Sequence, residues 1–90
     1  MKYTEEIIQN RLLTNYERFY RLAYSYVHNA ADAQDIVQEG AYKALRAKSS
    51  LRRPEQIDTW LYRIMVNEAY SLLRKQSRRQ ELPNLQDTEV

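Results

Sequence analysis

The stretch IDTWLYRIMVNEAYSLL, residues 57–73, decides the fold. Its apolar side chains, Ile57, Trp60, Leu61, Ile64, Met65, Ala69, Leu72 and Leu73, recur at i, i+3, i+4, i+7 and onward, which is the stripe that an amphipathic helix buries. Such a stripe is core, so Trp60 reads as a packing residue rather than a nucleobase platform. Pro54 suits the first turn of this helix, where its missing N–H costs nothing, and the pattern holds to about Arg78. On another side Arg63, Asn67, Tyr70 and Arg74 form a second line at spacings of four, three and four, and that line is the candidate recognition face.

Upstream, the basic loop KSSLRR, residues 48–53, separates this helix from another that runs from about Ala30 to Ala47. Asn29 is its expected cap, and Asp32 places a carboxylate in its first turn, where the helix dipole favours one. Ala33, Ile36, Val37, Gly40, Ala41, Ala44 and Leu45 face inward; Asp35, Gln38, Glu39 and Tyr42 lie on another side. Gly40 costs a helix interior up to about 1 kcal/mol relative to alanine, which points to a close approach of a neighbour at that position. The first helix spans Thr4 to Val27, loosened near Thr14-Asn15, with Ile8, Leu12, Tyr16, Phe19, Tyr20, Ala23 and Val27 at helical spacing. The expected fold is all-α: three helices with Ile36, Leu45, Trp60, Leu61, Ile64 and Leu72 in one core. Residues 1–79 form the domain, and residues 80–90, QELPNLQDTEV, read as a disordered or linker-like tail.

Ninety residues make one domain with a modest core, and one glycine, two prolines and 29 % charged residues favour helices over a turn-rich sheet. Cysteine is absent and histidine occurs once, at His28, so neither a disulfide framework nor a zinc cluster is available. No phosphate-binding glycine loop or nucleophile–base pair stands out, which argues against an enzyme and against a cofactor. No apolar run exceeds three residues, and Glu5 and Glu6 stand where a signal peptide needs an apolar stretch, so the chain reads as cytoplasmic and unanchored.

The net charge of +2 is unevenly spread: −1 over residues 1–45, +6 over residues 46–79 and −3 over the last eleven. The distribution suggests two surfaces with different partners, the basic one suited to phosphate, although a basic helix is as often merely solvated. In the acidic half Asp35 and Glu39 lie one turn apart on one face, where like charges cost an isolated helix about 0.2–0.5 kcal/mol. Charge alone allows a local explanation, in which Asp35 favours the helix N-terminus and Glu39 pairs with Lys43 at i+4.

DAQDIVQEGAYKAL, followed after the basic loop by TWLYRIMVNEAYSLLRKQSRR, resembles region 2 of bacterial RNA polymerase sigma factors of the extracytoplasmic-function class, over roughly Tyr16 to Arg79. The resemblance implies a helical domain that docks on the clamp coiled coil of the polymerase's largest subunit and binds the non-template strand of the minus-ten promoter element as single-stranded DNA. Asp35, Gln38 and Glu39 match the polymerase-binding positions of the family's D-x-x-Q-E segment. A basic partner would then compensate the like charges, since complementary potentials set specificity and speed association. Asn67 matches the asparagine of W-L-x-x-I-x-x-N, associated with promoter reading; its amide can donate and accept at a base edge. Arg63, Arg74, Lys75, Arg78 and Arg79 would track phosphates and release counterions. The loop carrying Lys48, Arg52 and Arg53 lies where the family holds an extruded base, which needs a pocket as well as charge. Tyr62 and Tyr70 offer stacking faces, although a flank tyrosine is more often half-buried packing with a wet hydroxyl. Ile57 replaces an aromatic common ahead of the tryptophan, and Ser71 replaces an acidic residue often found before the L-L-R run; both soften the detail of base reading.

An anti-sigma factor is a further expected partner. The alternative function is a sigma-like helical module bound by an anti-sigma factor without promoter reading of its own. A helix-turn-helix binder of duplex DNA ranks third, because that motif joins short helices by a 3–4-residue turn.

Overall fold

Thr14 and Asn15 interrupt the first apolar pattern by hydrogen-bonding their own backbone. In the computed structural model, which describes the backbone of residues 2–89 and the side chains of residues 4–78, the Thr14 hydroxyl donates to the Asn10 carbonyl at 2.8 Å and the Asn15 amide to that of Arg11 at 3.3 Å. Short polar side chains that bond nearby carbonyls compete with the helix ladder. Asn15, at φ −109° and ψ 21°, separates α1 (Lys2–Thr14) from α2 (Tyr16–Val27). The single long helix expected over residues 4–27 is therefore two, and the loosening expected near Thr14-Asn15 is the break. His28 ends α2 in the left-handed region, φ 54°, its N–H donating to the Tyr24 carbonyl at 2.7 Å.

Asn29 caps α3 (Ala30–Arg46) as expected, its Oδ1 accepting the Asp32 N–H at 2.9 Å. Past Ala47 the basic loop contains a 3₁₀ turn at Lys48–Ser50, and Pro54 starts a second at Pro54–Gln56, so the α-helical ladder of α4 (Ile57–Glu89) begins three residues later than the proline suggests. Its backbone stays helical through Glu89, beyond the end expected near Arg78. The tail expected over residues 80–90 falls outside the residues whose side chains are described. All elements among the described residues are helical, so the all-α expectation holds.

The core is built where α2, α3 and α4 meet, and α1 packs against α3. Ile8, Ile36, Leu61 and Met65 are its most deeply buried large side chains, joined by Phe19 and Ala23 of α2 and by Ala33, Val37, Ala44, Ile57 and Ala69. Gly40 lets Met65 in: a Cβ at Gly40 would lie 2.5 Å from Met65 Sδ and 3.1 Å from its Cε. The close approach suspected from the glycine is thus with α4. Of the six residues expected in one core, Ile36 and Leu61 are fully buried, while Leu45, Trp60, Ile64 and Leu72 are partly buried and pack against it. Trp60 stands at the margin of the core rather than at its centre. Two ion pairs strap α1 across the C-terminal half: Arg11 to Asp58 at 3.3 Å and Lys48 to Glu5 at 3.5 Å. Both are solvent-accessible pairs of the kind that contributes about 0–1 kcal/mol.

Candidate nucleic-acid and partner interface

The acidic face of α3 is exposed at Asp35, Gln38 and Glu39, and no ion pair involves the Asp35 or Glu39 carboxylate among the described residues. Lys43, the i+4 partner that charge alone offers Glu39, turns instead to α4, where its Nζ donates to Glu68 Oε1 at 2.7 Å. The Glu68 side chain is 13 % exposed, so this pair is partly shielded from water. Its hydrogen bond holds the Lys43 ammonium above the usual lysine range, against a smaller lowering by desolvation; Glu39 adds only a weak attraction. At the N-terminus of α3 the cap involves Asp32 rather than Asp35, and Asp32 Oδ2 also accepts from Gln76 Nε2 of α4 at 2.7 Å.

On α4 the side chains of Arg63, Asn67, Tyr70, Arg74 and Arg78 are all exposed and follow one another by three or four residues, which keeps them on one side of the helix. Lys75 departs from that line. It lies about 100° round the helix from Arg74, and it lines a 370 Å³ concavity with Asp35, Gln38, Glu39, Lys43, Glu68 and Leu72. A smaller concavity of 200 Å³ is lined by Lys43, Ala47, Ile64, Asn67, Glu68 and Ser71. The Lys43–Glu68 pair belongs to the lining of both, so it stands between the acidic face and Asn67. In the loop, Arg52 and Arg53 are exposed, whereas Lys48 is engaged by Glu5. The side chain of Arg79 falls outside the described residues.

Tyr70 is 49 % exposed, and its ring meets the partly buried Tyr26 of α2 edge-on, with centroids 5.4 Å apart and planes at 82°. Burial and then the neighbouring Tyr70 push the Tyr26 phenol above its ordinary value. Tyr62 is also exposed and borders a 500 Å³ groove with Arg18, Arg21, Leu22 and Thr59.

Glu68, Tyr26 and Gln76 were not singled out by sequence reasoning. Each acts through a partner 25 to 44 residues away along the chain, and helical spacing carries no information about such pairs. For Glu68 one signal existed: an acidic residue beside the apolar stripe of a basic helix, next to Asn67.

Comparison with known proteins adds the family. Residues 12–79 match the model of the Sigma-70 region 2 family. The chain is 45 % identical over 75 residues to the RNA polymerase sigma factor SigV of Bacillus subtilis, covering 83 % of this chain and 45 % of that protein. It is 40 % identical over 70 residues to the ECF RNA polymerase sigma-E factor of Escherichia coli K12, covering 78 % and 37 %, and 44 % identical over 54 residues to the RNA polymerase sigma-H factor of Pseudomonas aeruginosa, covering 60 % and 28 %. The chain thus spans less than half the length of these relatives. No solved structure matches it. No helix among the described residues is long and apolar enough to cross a membrane. A match over most of the chain, together with relatives at this level of identity, places the protein in the Sigma-70 region 2 family, extracytoplasmic-function class.

Proposed function

We propose that this domain serves transcription initiation in the cytoplasm by docking on the clamp coiled coil of the RNA polymerase largest subunit and reading the minus-ten promoter element as single-stranded DNA. The observation that carries the docking half is the redirection of Lys43 to Glu68, which leaves Asp35 and Glu39 exposed without an ion partner among the described residues. A surface of like charge whose i+4 cation is drawn away, with Lys75 as the one remaining lysine in its concavity, suits a basic partner. The reading half rests on Asn67, exposed between Arg63 and Tyr70 on one side of α4 and bordering a concavity of 200 Å³. That volume is below the roughly 300–1,000 Å³ of whole-ligand pockets and suits one base edge rather than a nucleotide. Arg63, Arg74 and Arg78 flank it as phosphate contacts, with Arg52 and Arg53 in the adjoining loop.

Capture on a purified clamp fragment, paired with thermal melts, tests the docking face. Glu39→Ala should change stability by no more than about 0.5 kcal/mol, as other surface substitutions do. Its capture should weaken by about 2–5 kcal/mol, the cost of removing one side of an interfacial charge pair. Undiminished capture by Asp35→Ala, Gln38→Ala and Glu39→Ala would refute the docking face.

One feature favours the second reading, a helical module held by an anti-sigma factor. Leu13 is 78 % exposed and borders a 760 Å³ concavity with Tyr16, Tyr20, Ala30 and Ala31, an apolar surface of the kind proteins bind. The two readings part on single-stranded DNA: the module binds none in the presence of the clamp fragment, the promoter reader does.

A further inference from the structure

The candidate reading line contains one aromatic residue, Tyr70, and that side chain does not stand alone. Tyr26 reaches from α2 across the α2–α4 boundary and meets the Tyr70 ring edge-on at 5.4 Å between centroids, with the planes 82° apart. Tyr26 is itself partly buried and packs against the core, whereas Tyr70 is about half exposed. An aromatic pair in this geometry is a favoured one, since the positive edge of one ring sits against the negative face of the other. On its own helix Tyr70 is flanked by the exposed polar Asn67 and Arg74 and by the partly buried Val66 and Leu73, and Tyr26 is the one aromatic ring paired with it among the described residues.

From this arrangement we infer that Tyr26 is a positioning residue for DNA reading: it locks the Tyr70 ring beside Asn67, as a preset platform on which an unpaired base of the promoter strand stacks. The inference rests on the proposed promoter reading and extends it to a helix that otherwise carries none of the DNA contacts. Its physical logic is pre-organisation. A free tyrosine on a helix surface must give up its rotamer freedom when a base stacks on it, and a ring already held by its neighbour does not. Stacking is tolerant of base identity because every base has a π-face, so Tyr26 governs affinity for the single strand while Asn67 governs preference among bases.

The test uses the full chain with a fluorescent twelve-nucleotide oligodeoxyadenylate at low salt, read by anisotropy with the purified clamp fragment present, alongside thermal melts. Tyr70→Ala should weaken binding by about 5-fold to 100-fold, the range for loss of one stacked base. Tyr26→Ala should weaken it by about 2-fold to 10-fold, the range of one aromatic pair, while Tyr26→Phe, which keeps the ring, should bind as the wild type does. In the Tyr70→Ala background Tyr26→Ala should add nothing. A general structural role would instead lower binding by the same factor in both backgrounds, and that result overturns the inference. Should Tyr26→Ala fail to fold, Tyr26→Leu, which retains apolar bulk without the ring, carries the same expectation. Weakened binding by Tyr70→Ala with wild-type binding by Tyr26→Ala and Tyr26→Leu would sink the positioning role and leave promoter reading intact. Unchanged binding by Tyr70→Ala would remove the stacking platform itself, and no binding by the wild-type chain would overturn both.

Discussion

Substituting Gly40 by alanine sets two effects of known sign against each other. Alanine in place of a helical glycine gains about 1 kcal/mol from backbone entropy. Against this, the new Cβ would lie 2.5 Å from Met65 Sδ and 3.1 Å from Cε, with Cγ at 3.8 Å. Favourable contacts between non-bonded heavy atoms sit near about 3.5–4.0 Å, so the thioether must retreat by about 1 Å. Met65 is 1 % exposed, and forcing extra volume into a close-packed core costs about 1–3 kcal/mol. Methionine is the most adaptable core side chain and the clash falls at its far end, which favours the lower part of that range. Gly40→Ala should therefore destabilise by about 0–2 kcal/mol. In a Met65→Ala background, which itself loses about 2–5 kcal/mol, the clash is gone and the same substitution should stabilise by about 1 kcal/mol. Urea denaturation of the four proteins yields the coupling, expected at about 1–3 kcal/mol. A coupling below about 0.5 kcal/mol, the scatter expected of independent sites, would refute the reasoning, as would a net gain of 1 kcal/mol from Gly40→Ala alone.

Leu61→Ala, at the centre of the core, should cost about 2–5 kcal/mol, whereas Trp60→Ala should fall below the roughly 3–5 kcal/mol of a fully buried aromatic because Trp60 is only partly buried; melting midpoints in the opposite order would place Trp60 at the centre. Asn29→Ala should lose about 1 kcal/mol through the cap bond to the Asp32 N–H, and Asn29→Ser should recover most of it in the same melts. Lys43 and Tyr26 both have folded-state values raised above the unfolded ones, so the stability they contribute is complete below about pH 10 and lost as pH climbs through their folded values; a Lys43→Met, Tyr26→Phe double variant should lose less stability than the wild type above that pH, and equal slopes would reject the assignment. Arg78→Glu should reduce the salt dependence of single-strand binding by about one ion, while Lys75→Glu, on the acidic concavity, should leave that slope unchanged and capture by a basic clamp fragment undiminished; the reverse pattern would put Lys75 on the DNA side.

What the sequence made legible was whatever depends on near neighbours along the chain. The Asn29 cap and the onset of α3 follow from residues within one turn of each other, and both are found as expected. The apolar stripes of α3 and α4 face inward because periodicity within a helix is a local property, and Gly40 announced a close neighbour because a mid-helix glycine is otherwise a cost. The break at Asn15 was only half legible. Ile8, Leu12, Tyr16 and Phe19 keep helical spacing across it, so periodicity favoured one helix, and the side chain to backbone bonds of Thr14 and Asn15 tipped the balance.

The candidate site was legible in its residue types and not in its pairings. Local spacing offers Lys43 two claims on its charge, Glu39 at i−4 on its own helix and any carboxylate that the fold brings near. An i, i+4 pair on an exposed helix is worth only about 0.3–0.5 kcal/mol, so a partly shielded acceptor such as Glu68, which loses hydration whether or not it is paired, has the stronger claim. That competition settles three placements at once. It frees the Glu39 face, it anchors α4 against α3 beside Asn67, and it sets a neutralised pair between the acidic concavity and the candidate reading line, where Lys43 would otherwise be a free cation. Lys75 follows the same rule in the other direction: one residue of helical rotation carries it from the arginine line to the acidic concavity, a distinction that charge counting over residues 46–79 erases. The acidic face of α3 is thus bounded by two lysines of its own domain, Lys43, committed to Glu68, and Lys75, which has no ion pair among the described residues, so a basic partner would compete with Lys75 alone for Asp35 and Glu39.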